Sequence, residues 1–90
     1  MAEIRPLSAE IAAPTTTGAA STVSSGVNVR IINTTAAAHL VTLVTAQSGT
    51  VVGSFTIMSD EHVILRKKKT ECIFAANAGI KLTSLAVPRG

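Results

Sequence analysis

Residues 39–58, HLVTLVTAQSGTVVGSFTIM, decide the fold. Two runs rich in β-branched residues flank the tetrapeptide QSGT, and a Ser-Gly pair between such runs signals a β-hairpin turning at Ser48 and Gly49. Gly53, inside the second run, implies either a bulge or a close approach of backbone. Neither run has the 3.6-residue repeat of an amphipathic helix, so both are expected to be strands.

Short apolar segments alternate with turn signals on both sides of this hairpin. Before it, VNVRIIN places Val27, Val29 and Ile31 on one face of a strand and Asn28, Arg30 and Ile32 on the other. Residues 34–38 are Ala-rich but lie between β-branched runs, and they read as a loop. After the hairpin, SDE turns the chain into HVILRK, KKT makes a corner before ECIFAA, and NAG leads into IKLTSLAV. Turns spaced about eight to twelve residues apart suit a sandwich or barrel.

The expected fold is all-β: a small antiparallel β-sandwich or barrel of six to eight short strands. Residues 26–90 form that domain, and residues 1–25, with the run TTTGAASTVSSG, read as an extended N-terminal arm or weak edge strand. Val29, Ile31, Leu43, Phe55, Val63, Leu65, Phe74 and Leu82 are the expected core.

Composition points to assembly. A 90-residue chain buries only about 60–65% of its unfolded surface. With no Trp or Tyr and two Phe, its core lacks bulk. Hydrophobic residues make up 47% and charged residues 14%, against about 25% charge in ordinary domains, so the surface cannot be covered by charge. Such a chain is expected to associate with itself or to lie on a larger partner.

No catalytic pattern emerges. His39 and His62 stand at strand starts, and the neighbours of His62, Asp60 and Glu61, are adjacent along the chain rather than on one strand face. Cys72 lies in an apolar stretch and reads as a small core residue. One Cys and two His are too few for a convincing zinc set, and no Gly-x-Ser-x-Gly elbow or phosphate-binding loop is present. The chain is expected to be no enzyme and to take no cofactor or metal. The opening MAEIRPLSAEIAAP has no apolar core of a secretory signal, and no membrane span is expected.

The remaining signal is charge. Arg66, Lys67, Lys68 and Lys69 hold half of the eight basic side chains, with Lys81, Arg30 and Arg5 as expected neighbours. Lysines at a strand end can be a solvated edge that discourages sheet pairing. As a binding corner they would meet an acidic surface, and a protein is the better partner. Nucleic acid is disfavoured, because two Phe offer little for base stacking and the net charge is only +3. The second candidate contact is the arm at Ile4, Arg5, Pro6 and Leu7.

The order of residues 27–87 resembles small virion proteins of tailed bacteriophages. The shared features are an apolar strand ending in Asn-Thr, a Ser-Gly hairpin, a GSFTI strand, an acidic turn, V-x-L-x-K before a short loop, and Ala-rich closing strands. The resemblance implies a non-enzymatic capsid decoration or cement subunit, made in the host cytoplasm and bound to the major capsid protein as a trimer, dimer or lattice-bound copy. Alternatives are a head-completion or tail-associated protein, and a small cytoplasmic module for polyanions such as nucleic acid.

Overall fold

The computed structural model of the protein describes residues 5–86. Among them are eight strands: β1 (Arg5–Pro6), β2 (Ile11–Ala12), β3 (Asn28–Asn33), β4 (His39–Val44), β5 (Val51–Ile57), β6 (His62–Arg66), β7 (Cys72–Ala75) and β8 (Ile80–Ala86). All pairings are antiparallel. One sheet runs β8, β3, β6, with β1 and β2 both on the outer side of β8; the other runs β5, β4, β7. The two sheets make the small β-sandwich expected from the alternation. Residues 34–38 are a loop, as read.

Side-chain alternation builds the core. Val29 and Ile31 of β3 and Leu82 of β8 meet Val41, Ile57, Ile73 and Ile80 in one fully buried cluster. Leu43, Phe55, Val63 and Leu65 pack around it half-buried, and Phe74 joins Ala20, Val44 and Cys72 in a second, smaller cluster. The β4–β5 register steps from Leu43–Gly53 to Val44–Val51, leaving Val52 as the extra residue of a bulge. A Cβ on Gly53 would touch nothing within 4 Å, so this glycine marks the bulge and not a close approach.

The hairpin turn works differently from the usual Ser-Gly rule. Ser48 takes the left-handed conformation, at φ 56°, while Gly49 does not. Gly49 is required for space: a Cβ there would lie 2.5 Å from Thr45 Oγ1 and 2.8 Å from Ala46 N.

Residues 5–25, expected as part of an extended arm or weak edge strand, run along the body. β1 and β2 pair with β8, the Ala13 N–H donates to Ile80 O at 2.8 Å, and Ser21 bridges to Ile73 of β7. Ala13, Ala20 and Val23 are buried, so this small-residue stretch completes the core and covers the outer edges of β7 and β8. It ends in three consecutive left-handed residues, Val23, Ser24 and Ser25, closed by the Gly26 N–H bonding back to Thr22 and Val23 carbonyls. Each such residue costs roughly 1–2 kcal/mol, and burial of Val23 at 1% exposure offsets part of that.

Asn33 ties the two sheets together at the end of β3. Its side chain is fully buried, and its amide donates to Ala37 O at 2.7 Å and Ile57 O at 3.1 Å. Its Oδ1 accepts the Thr35 N–H at 2.9 Å and lies 2.7 Å from the Thr35 hydroxyl. Its backbone meanwhile bonds Glu61 O and the Asp60 N–H, each at 3.0 Å.

Asn33→Asp should destabilise the domain by about 3 kcal/mol or more at neutral pH, because a carboxylate would face two carbonyls in a buried site. Burial raises that carboxyl's pKa, so the deficit shrinks as acid protonates it and it can donate again; Asn33→Leu would show no such recovery. Urea unfolding of both variants at acid and neutral pH checks this. Ser24→Gly and Ser25→Gly should each raise stability by about 1 kcal/mol by relieving left-handed strain, read from the same curves.

Candidate functional site

The basic corner lies in residues 67–71, between β6 and β7. It is a tight turn: the Glu71 N–H donates to Lys68 O at 3.1 Å, and Glu71 Oε1 accepts the Lys68 N–H at 2.7 Å. Lys67 does not point outward. Only 4% of it is exposed, its N–H donates to Val27 O at 2.7 Å, and its Nζ donates to Glu71 O at 2.9 Å and Lys68 O at 3.2 Å. One of the four cations read as a contact is therefore an internal staple of the turn, while Arg66, Lys68 and Lys69 are exposed.

Burial pushes the Lys67 amine below its ordinary value, against the opposite pull of Cys72 and Glu71. Retaining a charged lysine here is worthwhile only through its two carbonyl bonds. With Val27 and Glu71, the corner lines an open hollow of about 510 Å³.

Strand register places the other candidates. On the outer face of the β8–β3–β6 sheet, one row across the strands reads Pro6, Leu85, Asn28, Arg66. Two residues along come Thr83, Arg30 and Ile64; the next row is Ala12, Lys81, Ile32 and His62. The arm contact and the basic corner, far apart in sequence, thus share one end of one sheet. Three strand spacings separate Pro6 from Arg66, about 14 Å.

Arg5, Pro6 and Leu7 are exposed there, with Leu7 held by its N–H to Ser84 O at 2.7 Å. Ile4 lies outside the described residues. Arg30 stands between arm and corner, 3.8 Å from Glu10, over a hollow of about 480 Å³ lined also by Pro6, Ser8, Thr83 and Leu85. Lys81 shares the face but not the corner, being two rows along and two strands over from Arg66.

Charge is segregated along β6. Asp60 and Glu61 precede its first residue, at the Asn33 end of the sheet; Arg66, Lys68 and Lys69 follow at the other. Between them Ile64 is 48% exposed on the same face as Arg30. On this face Ile64 thus lies between Arg66, which is exposed, and Arg30, which is paired with Glu10. Sequence reading missed Ile64 and the row that joins arm to corner; alternation of HVILR puts Ile64 opposite the core residues Val63 and Leu65, and that signal was available.

Among the described residues, no group of His, Cys, Asp and Glu is placed to hold a metal ion, and no helix is long and apolar enough to cross a membrane. Compared with protein-family models, curated proteins and solved structures, the chain matches none.

Lys67→Met should cost about 1 kcal/mol at neutral pH, since two turn carbonyls lose their donor. Between the lowered folded value and 10.5 the unfolded chain holds more protons at this site, so stability from Lys67 rises with pH across that window. The margin of wild type over Lys67→Met should widen as pH climbs toward 10.5, measured by urea unfolding.

Proposed function

We propose that this chain is a non-enzymatic structural subunit of a tailed-phage virion, a capsid decoration or cement protein that docks on the major capsid protein. The observation that carries the reading is that Arg5, Pro6 and Arg66 share one end of one sheet, with Lys68 and Lys69 beyond it, while Asp60 and Glu61 sit at the opposite end and Arg30, between them, is paired with Glu10. A field polarised in this way orients a small subunit as it approaches an acidic lattice and fixes its register.

The thin core supports the same reading, since binding only the folded state adds stability by mass action. Polyanion binding through the same cations is the second reading, favoured by the hollow beside Lys68 and Lys69.

Counting copies of the chain per major capsid subunit in purified particles separates these readings. A ratio near one, or a simple fraction of it, is expected. A dozen or so copies would move the protein to the neck or tail, and none would refute the virion reading and leave the polyanion module. Replacing Arg66, Lys68 and Lys69 by Ser, with Lys67 kept as the staple, should lower particle occupancy about tenfold at low salt and flatten its salt dependence. Unchanged occupancy would place the contact elsewhere.

A further inference from the structure

The geometry points to a binding site for a carboxylate on a short apolar stem, in the hollow of about 480 Å³ that Arg30 and Thr83 form with the N-terminal stretch. The site is independent of the capsid reading, since it uses none of the exposed cations Arg66, Lys68 and Lys69.

A break in strand pairing makes the hollow. Pro6 stands opposite Leu85 and Ile11 opposite Leu82, so residues 7–10 face only Thr83 and Ser84 of β8. Such surplus at a sheet edge disrupts the ladder and re-aims side chains. Ser84 takes both bonds from this stretch: the Leu7 N–H donates to its carbonyl at 2.7 Å, and Ser8 Oγ accepts its N–H at 3.1 Å. Thr83, beside it, is only 8% exposed, and its hydroxyl has no hydrogen-bond partner among the described residues. That hydroxyl is not sealed inside the protein, so it opens into the hollow that Thr83 lines.

Arg30, directly opposite Thr83 on β3, supplies the charge. Its Nη1 stands 3.8 Å from Glu10 Oε2, beyond hydrogen-bond reach, so the pair attracts without using the donors of the guanidinium. Ser8 Oγ accepts from Ser84, which leaves its O–H to donate. Arg30, Thr83 and Ser8 thus offer donors around one space, with Pro6 and Leu85 as an apolar wall. A planar carboxylate matches the guanidinium fork, and an apolar stem matches the wall. Glu10 carries the negative charge of the lining, which disfavours a doubly charged phosphate and competes with the ligand for Arg30. A half-exposed pair of this kind is weak, so an incoming carboxylate displaces it.

Titrating the isotope-labelled full chain with sodium butyrate, against sodium chloride at equal ionic strength, reads the site through its amide resonances. Saturable shifts at residues 7–10, 30 and 83–85 are expected, with Kd on the order of 1–10 mM. Arg30→Met should abolish saturation, and Thr83→Val should weaken binding about threefold. Glu10→Gln should tighten it about threefold, an effect that a purely structural Glu10 would not give. N-acetylglutamate amide binding at least as tightly as butyrate would support an acidic side chain of a partner protein as the ligand; weaker binding would support a free acid. Shifts no larger than in chloride, shifts centred on residues 66–71, phosphate binding more tightly than butyrate, or Glu10→Gln binding no tighter than wild type would each overturn the proposal. Should Arg30→Met fail to fold, the wild-type titration and Glu10→Gln, at a half-exposed position, decide.

Discussion

The side chain of Asn33 is the interaction on which the rest of the sandwich depends. It stands fully buried where β3 leaves one sheet, and its amide holds both the following loop, at Ala37, and the last residue of β5, at Ile57. With its backbone bonds to Asp60 and Glu61, it fastens two of the segments that cross between the sheets at this end, residues 34–38 and 58–61. A buried amide of this kind stabilises only when every donor and acceptor is met, so it specifies one loop arrangement and penalises others. The apolar residues that surround it could pack in several registers; Asn33 cannot.

Elsewhere the chain accepts local cost to gain position. Three successive left-handed residues, Val23 to Ser25, drop Val23 into the core and deliver Gly26 against Ser84, where a Cβ would lie 2.5 Å from the Ser84 hydroxyl. Next to this turn, the Val27 carbonyl receives the Lys67 N–H, and the Lys67 amine closes the basic corner from inside. The strained turn and the buried lysine are thus parts of one device. It sets the direction in which Arg66, Lys68 and Lys69 face solvent.

The N-terminal stretch shows how a small chain economises on bulk. Ala13 and Ala20 are too short to build a strand's worth of core, yet they let residues 11–21 lie close against β7 and β8, covering two edges. The exposed apolar side chains Leu40, Val51, Val52 and Ile64 lie on β4, β5 and β6, with Met58 just past β5 and Leu7 and Ile11 on the N-terminal stretch. The exposed cations Arg66, Lys68 and Lys69 stand at one end of one sheet, and β5, at the edge of the other, carries no charged side chain.

What the sequence determined by itself were the strands, their faces and their turns, because period-two alternation and turn chemistry are local properties carried by neighbouring residues. VNVRIIN already placed Val29 and Ile31 inward, and the Ser-Gly turn already joined β4 to β5. The polar anchors were less legible. Asn33 continues the inward alternation of β3 and could have been suspected, but its partners at Ala37 and Ile57 come from the loop and from another sheet. Nothing in the sequence set Lys67 apart from Lys68 and Lys69; only the approach of Val27 and the fold of residues 68–71 turned it inward. Which residues shared a face across strands, and which edges stayed open, were decided by the tertiary structure alone. Strand order joins segments distant in the chain, and no local pattern records it.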